Sequence, residues 1–291
     1  MIFSFLNSRF FLVFFSPFIL GTSTVFSFQP FNYSYINFLI IPALFLITTY
    51  VKKKSKNTYR KKPYLFNLFL VGYMFGVGFF LTGTYWISHS LTFDENFKFL
   101  VPISLIGLPL FLGFFFGVGN LIAGPFLKNN FTSILLFSSS LALMDFLRAI
   151  IFTGFPWNLW AYSWSSKPDV LQMLPIIGFF SFNFFCIIFY CSILLLIFRN
   201  KYGYRIFTLI IIIFISNYIY GSSIINKNNE YLEKIELKSE NSIFTKIVSP
   251  NFDLKYNLST KEIGENILKL IKYSAPEKNK RTLFVWPEGV F

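Results

Sequence analysis

Uninterrupted apolar runs separated by short polar stretches dominate the chain up to about residue 221. Seven of them, near residues 10–28, 33–51, 64–88, 97–119, 131–152, 170–198 and 204–221, reach the roughly 20 residues that carry a helix across a hydrocarbon core. Helices are predicted because lipid offers no partner to an unpaired backbone group, and the strict alternation of a barrel strand is absent. The first run follows Arg9 as a signal peptide would, but no small-residue cleavage site accompanies it, so it is read as a retained span. The pattern changes at Ile224. Beyond it, NSIFTKIVSPN (241–251) alternates as a strand does. STKEIGENILKLIKYSA (259–275) opens on a capping box of Ser259 and Glu262 and repeats Ile263, Ile267, Leu270 and Ile271 at helical spacing. After turn residues 276–280 comes TLFVWPEGVF, a buried-type strand ending in Pro287 and Glu288. The expected organisation is a helical membrane domain over residues 1–226 and one β-α-β unit within residues 227–291.

Composition agrees with the pattern. Hydrophobic residues make up 54% of the 291 positions, 43 of them Phe, and only 13% are charged, against about a quarter in ordinary soluble domains. A soluble enzyme and a disordered tail are excluded, and two cysteines are too few for a disulfide framework. The net charge of +13 suggests nucleic acid until it is partitioned. Residues 1–226 hold 15 Lys and Arg against 4 Asp and Glu, whereas residues 227–291 hold 11 against 9. The surplus lies between the spans: Arg9, the seven cations of KKKSKNTYRKK (52–62), Lys128, Arg199, Lys201 and Arg205 share one side, and Lys98 and Lys167 the other. Cationic loops stay in the cytoplasm, so the amino terminus is expected inside and the segment after the seventh span outside. The lysine run is thereby a topology anchor, and no nucleic-acid partner is expected.

Most residues that suggest chemistry have a plainer reading. Gly72 with Gly76, and Gly113 with Gly117, are spaced by four within apolar spans and favour close helix packing over a nucleotide loop. Cys186 and Cys191 lie among Phe and Ile, where a thiol is inert. His89, near Asp94 and Glu95, has no second His or Cys and reads as an interfacial side chain; no metal or cofactor is expected. Two features stand apart. TGFPWNLWAYSWSSKPD (153–169) packs three Trp and a Tyr around Pro156, just after Asp145 and Arg148, an i, i+3 pair inside a span. Ionisable residues in lipid usually have a partner or a task. An aromatic belt with a structural ion pair fits the composition as well as a binding site does. Glu288, flanked by Trp286 and Pro287, sits at the carboxyl end of a strand, where α/β sheets present their chemistry. Those apolar neighbours suit a general base, although on position alone a solvated strand-end glutamate is the simpler reading.

Taken together, these residues resemble the apolipoprotein N-acyltransferase family of polytopic inner-membrane enzymes, whose nitrilase-like domain follows the seventh helix. The resemblance is carried by GVGFFLTGTYW (76–86), by Asp145, Arg148 and the TGFPWNLWAYSW block, by IVSPN, and by VWPE at 285–288. It implies a seven-span helical domain followed by the first β-α-β unit of a nitrilase-like α/β sandwich. It also implies an acyl transfer from a phospholipid donor through a cysteine thioester to the amino group of a diacylglyceryl-cysteine on an apolipoprotein. Of the family's Glu, Lys and Cys triad, Glu288 matches the general base, while Lys and Cys have no match in the 291 residues. The sequence is therefore expected to be a carboxyl-terminally truncated member that cannot form an acyl-enzyme on its own. Asp145 stands where the family more often has Glu, and Ser249 where Gln is usual. Asp145, Arg148, Pro156, Trp157, Asn158 and Trp286 are the candidate lipid or substrate contacts, and the bacterial inner membrane is the expected location. The alternative is a non-enzymatic polytopic protein or transporter with a small outer tail.

Overall fold

A computed structural model describes residues 8–57, 64–152, 154–199, 201–236, 243–252, 258–277 and 281–287. Glu288 and the end of the lysine run, residues 58–62, lie outside them. The chain divides into two compact units, residues 1–88 with 100–225, and residues 89–99 with 226–291.

The first unit is a helical bundle. Its main helices are α1 (Ser16–Ser23, entered through a π-helical turn at Phe10–Phe15), α2 (Asn37–Asn57), α3 (Tyr64–Thr84), α4 (Val101–Ala123), α5 (Phe131–Ile150), α6 (Phe179–Cys191) and α7 (Lys201–Glu236). With their adjoining turns they give, among the described residues, seven segments long and apolar enough to cross a membrane. Two of them begin on recognisable local signals: Asn130 caps α5 by accepting the Ser133 amide at 2.9 Å, and Pro102 opens α4.

α3 is the centre of the bundle, burying Leu68, Val71, Phe75, Phe79 and Phe80. Lipid tails are as apolar as these side chains, so association depends on close packing and on polar groups that find each other. Both are present. A Cβ on Gly72 would lie 2.3 Å from the Phe116 carbonyl oxygen, and one on Gly76 2.8 Å from the Gly113 Cα, so α3 and α4 touch backbone to backbone. Asn120 of α4 accepts from Thr48 Oγ1 at 3.0 Å and donates to the Leu68 carbonyl at 2.6 Å. Arg9 Nε donates to Asn67 Oδ1 at 2.9 Å, and Asn67 donates to Ser55 Oγ at 3.1 Å. Lys52 reaches the Leu127 carbonyl at 2.6 Å, which places the start of the lysine run against the bundle.

Two of the expected runs differ from the structure. Residues 170–198 are not one helix: short turns at Pro168–Leu171 and Leu174–Ile177 precede α6, and Gly178, between the second turn and α6, adopts φ +78°. Only glycine takes that conformation without strain, and Pro175 opens the turn just before it, so the backbone breaks there within a largely apolar run. The seventh helix runs beyond 221 to Glu236, because its polar residues satisfy helix propensity as well as apolar ones do. Its inner part docks on the turn before α6, where Asn217 donates to the Val170 carbonyl at 2.9 Å and a Cβ on Gly221 would lie 1.9 Å from the Asp169 carbonyl.

In the second unit, β1 (Phe244–Ile247) and β2 (Thr282–Val285) pair in parallel, Phe244 opposite Thr282 and Ile247 opposite Val285. α8 (Thr260–Ser274) connects them and starts at the expected capping box of Ser259 and Glu262. Leu270 and Val248 are buried, with Phe252 and Trp286 against them. Lys246 Nζ donates to the Ser274 carbonyl at 2.8 Å, and Trp286 Nε1 to Ser274 Oγ at 2.9 Å. Ile247, Leu283 and Val285 are exposed. In the 89–99 segment the His89 ring packs edge-on against Phe93, centroids 5.2 Å apart.

Candidate functional site

Odd-numbered spans end on the same face of an up-and-down bundle, so the chain after α1, the end of α3 and the loop after α5 meet there. At that end two adjoining cavities, about 590 and 360 Å³, share Phe28, Gln29, Trp86 and Asn158. The larger is completed by Val25, Phe31 and the α3 end, the smaller by Trp157, Tyr162 and Ser165. Together they form one groove. Its described lining is aromatic and aliphatic with amide and hydroxyl groups, and contains no charged side chain.

The groove's rim is built from the loop after α5. Arg148, at the end of α5, accepts the Phe155 amide on its carbonyl at 2.9 Å, reversing the chain within one turn. Gly154 permits the reversal: its φ is +78°, and a Cβ there would lie 2.4 Å from the Ala149 carbonyl. Asn158 sits at φ +56°, a left-handed conformation that Asn tolerates better than most residues. Its side-chain amide packs onto Gly83, where a Cβ would meet Asn158 Nδ2 at 2.0 Å. The half-exposed Trp157 and Trp86 rings meet edge to face, centroids 5.5 Å apart, and Trp86 Nε1 donates to the Gly83 carbonyl at 3.0 Å.

Beneath the rim lies a buried polar network. Arg148 and Asp145 are 2% and 3% exposed. Arg148 Nη2 donates to Asp145 Oδ1 at 3.0 Å, while Nη1 donates to the carbonyls of Phe155 at 2.6 Å and Trp157 at 2.7 Å. Asn183 of α6 donates to Asp145 Oδ2 at 3.0 Å and accepts the Ala161 amide at 3.1 Å. The guanidinium also lies 5.0 Å from the Phe80 ring centroid. Each charge therefore has hydrogen-bonded partners, as a buried ion pair requires, although Arg148 Nε itself has none among the described residues.

The sequence candidates thus fall into three groups. Trp157 and Asn158 line the groove. Asp145 and Arg148 are close by but buried behind it, and the exposed Pro156 stands in the rim without lining either cavity. Trp286 belongs to the second unit, half-buried on Leu270 and Val248, and Glu288 is outside the described residues. The aromatic block is also less uniform than a surface belt. Trp160 is buried against Phe75 and Phe79, Trp164 stacks on Tyr190, and Ser163 Oγ lies 2.7 Å from the Tyr190 hydroxyl. Gln29, Phe28, Gly83, Trp86 and Asn183 were not singled out from sequence as site residues. Of these, Gly83 and Trp86 carried a signal, as the two ends of GTYW in the quoted 76–86 segment.

The fold defines a polytopic helical membrane protein with an aromatic-lined groove at one end of its bundle. Residues 20–193 match the family described as apolipoprotein N-acyltransferase N-terminal domain, well over half the chain, and the chain belongs to that family. A relative from Rickettsia typhi is 30% identical over 257 residues, covering 86% of this chain and 48% of the relative. One from Rhizobium etli is 29% identical over 234 residues, 77% of this chain and 42% of the relative. One from Bradyrhizobium diazoefficiens is 27% identical over 282 residues, 93% and 50%. All three bear the name apolipoprotein N-acyltransferase. The chain spans half or less of the length of these curated relatives.

Proposed function

We propose that this chain supplies the membrane domain and general base of an apolipoprotein N-acyltransferase at the outer leaflet of a bacterial inner membrane. The observation that carries the reading is the groove: an aromatic, uncharged cleft at the end of the spans, suited to the acyl and ester region of a phospholipid donor. The cationic loops at the opposite ends of the spans support an amino terminus in the cytoplasm and a periplasmic segment after the seventh span. The acceptor is the diacylglyceryl-cysteine at the start of an apolipoprotein.

In this reading residues 227–291 begin a nitrilase-like domain, supported by the parallel β1-α8-β2 unit and by Glu288 three residues past β2. Glu288 takes the proton of a cysteine thiol as its sulfur bonds to the donor's acyl carbon. The ester C–O bond breaks, and the proton passes to the departing lysophospholipid oxygen. The acceptor's amine then bonds to the acyl carbon, the C–S bond breaks, and its proton returns through Glu288 to sulfur. A lysine stabilises the oxyanion in both steps. No cofactor is called for, because ester and thioester supply the driving force.

The test has two arms. The encoding DNA is read past the Phe291 codon for a lysine and a Cys-Tyr-Glu type stretch; their absence in every frame favours the non-enzymatic reading. The protein of the complete reading frame is then given phosphatidylethanolamine vesicles and a diacylglyceryl-cysteine peptide, and the peptide's gain of one acyl chain is read by mass. Glu288→Gln is expected to reduce transfer to background, and undiminished transfer sinks the assignment.

A further inference from the structure

We propose that Asp145, Arg148 and Asn183 form a buried positioning network that fixes the backbone carrying Trp157 and Asn158, and so sets the shape of the groove without touching what it binds. The proposal rests on reading the groove as a lipid site.

The geometry divides the guanidinium between two duties. One edge holds the Asp145 carboxylate, and the other holds two carbonyls of a single loop, Phe155 and Trp157. The carboxylate's second oxygen holds Asn183, whose own carbonyl oxygen holds the Ala161 amide. Trp157 and Asn158 therefore lie between anchor points at 155, 157 and 161, all tied to one network drawn from α5 and α6. Residues 154–159 form no helix or strand, so these side chains supply hydrogen bonds that secondary structure does not.

A headgroup contact is the other task that an arginine in a span could have. It would need an accessible guanidinium, whereas this one is 2% exposed and lines neither cavity. What the network holds is the rim: Asn158 seated on Gly83, and the Trp157 ring on Trp86. If the loop leaves this conformation, the rim moves away from the end of α3. A lysine in place of Arg148 keeps the charge but loses the planar fork that bridges carboxylate and carbonyls. Removing the Asn183 amide frees the Ala161 end while leaving the ion pair intact.

The test uses the whole chain in detergent micelles, with Arg148→Lys and Asn183→Ala made separately. Hydrogen exchange of the Ala161 amide reads the loop. Quenching of tryptophan fluorescence by a phosphatidylcholine with brominated acyl chains reads the groove. In both variants Ala161 is expected to exchange faster, and the half-saturating lipid concentration to rise about tenfold, with the end-point quenching retained. A binding-ready loop populated about a tenth of the time weakens apparent affinity by that fraction and leaves saturation intact; general unfolding would lower the end point instead. Unchanged exchange in both variants overturns the proposal, as does faster exchange with an unchanged half-saturation. Trp157→Ala separates the two readings, since wild-type lipid binding by that variant as well means the lipid reading has failed.

Discussion

The helical bundle and the β-α-β unit solve the same problem with very different resources. Every helix in the bundle satisfies its own backbone, and its neighbours have only to supply close packing and a few polar ties. Among its described residues the sheet unit has two paired strands, with Leu270 and Val248 as their buried apolar centre. Its helix is well specified locally, by a capping box and a one-sided apolar pattern, while Leu268, Ile271, Leu283 and Val285 remain exposed. Local signals suffice to write a helix.

The comparison is broken most severely from inside the bundle. Arg148→Ala leaves the Asp145 carboxylate buried without its cation and is expected to destabilise the bundle by about 4 kcal/mol, read as a lower thermal midpoint in detergent with helical circular dichroism retained below it. Gly72→Val drives a side chain into the Phe116 carbonyl and is expected to cost about 3 kcal/mol. Separation of α3 from α4 would be followed by cross-linking of cysteines placed on the two helices. In the second unit, Leu270→Ala removes a fully buried side chain packed with Val248, about 2 kcal/mol. That is expected to release amide protection across 260–274 while leaving the bundle's midpoint unchanged; if protection survives, the unit is held by something other than its own contacts. The smallest effect is a gain. Ala275 ends α8 at φ +40°, a left-handed position that suits glycine, so Ala275→Gly is expected to raise protection of the last turn of α8 by about 0.5 kcal/mol.

The spans were legible because the bilayer imposes a length and a composition that hydropathy reads directly. The β-α-β unit was legible from Ser259 and Glu262 and from the alternation on either side. What escaped were features set by backbone conformation or by distant partners. Within the run from 170 to 198 only Pro175 and Gly178 mark the break before α6, and both residue types also occur inside intact spans such as α2 with Pro42 and α4 with Pro109. Asp145 and Arg148 were visible as a pair, but their inward orientation depends on Asn183, thirty-eight residues away from Asp145. Gln29 and Gly83 become groove residues only because the first and third spans end together. The Trp block was seen as one surface because composition cannot tell Trp157, which faces out, from Trp160, which is enclosed.

The crossed indoles of Trp86 and Trp157 make the rim a chromophore pair as well as a wall. Dipolar coupling between two such rings falls with the cube of their separation and depends on their mutual tilt. Any widening of the cleft would therefore register as a fading exciton couplet, giving this protein an intrinsic optical gauge that needs no attached label.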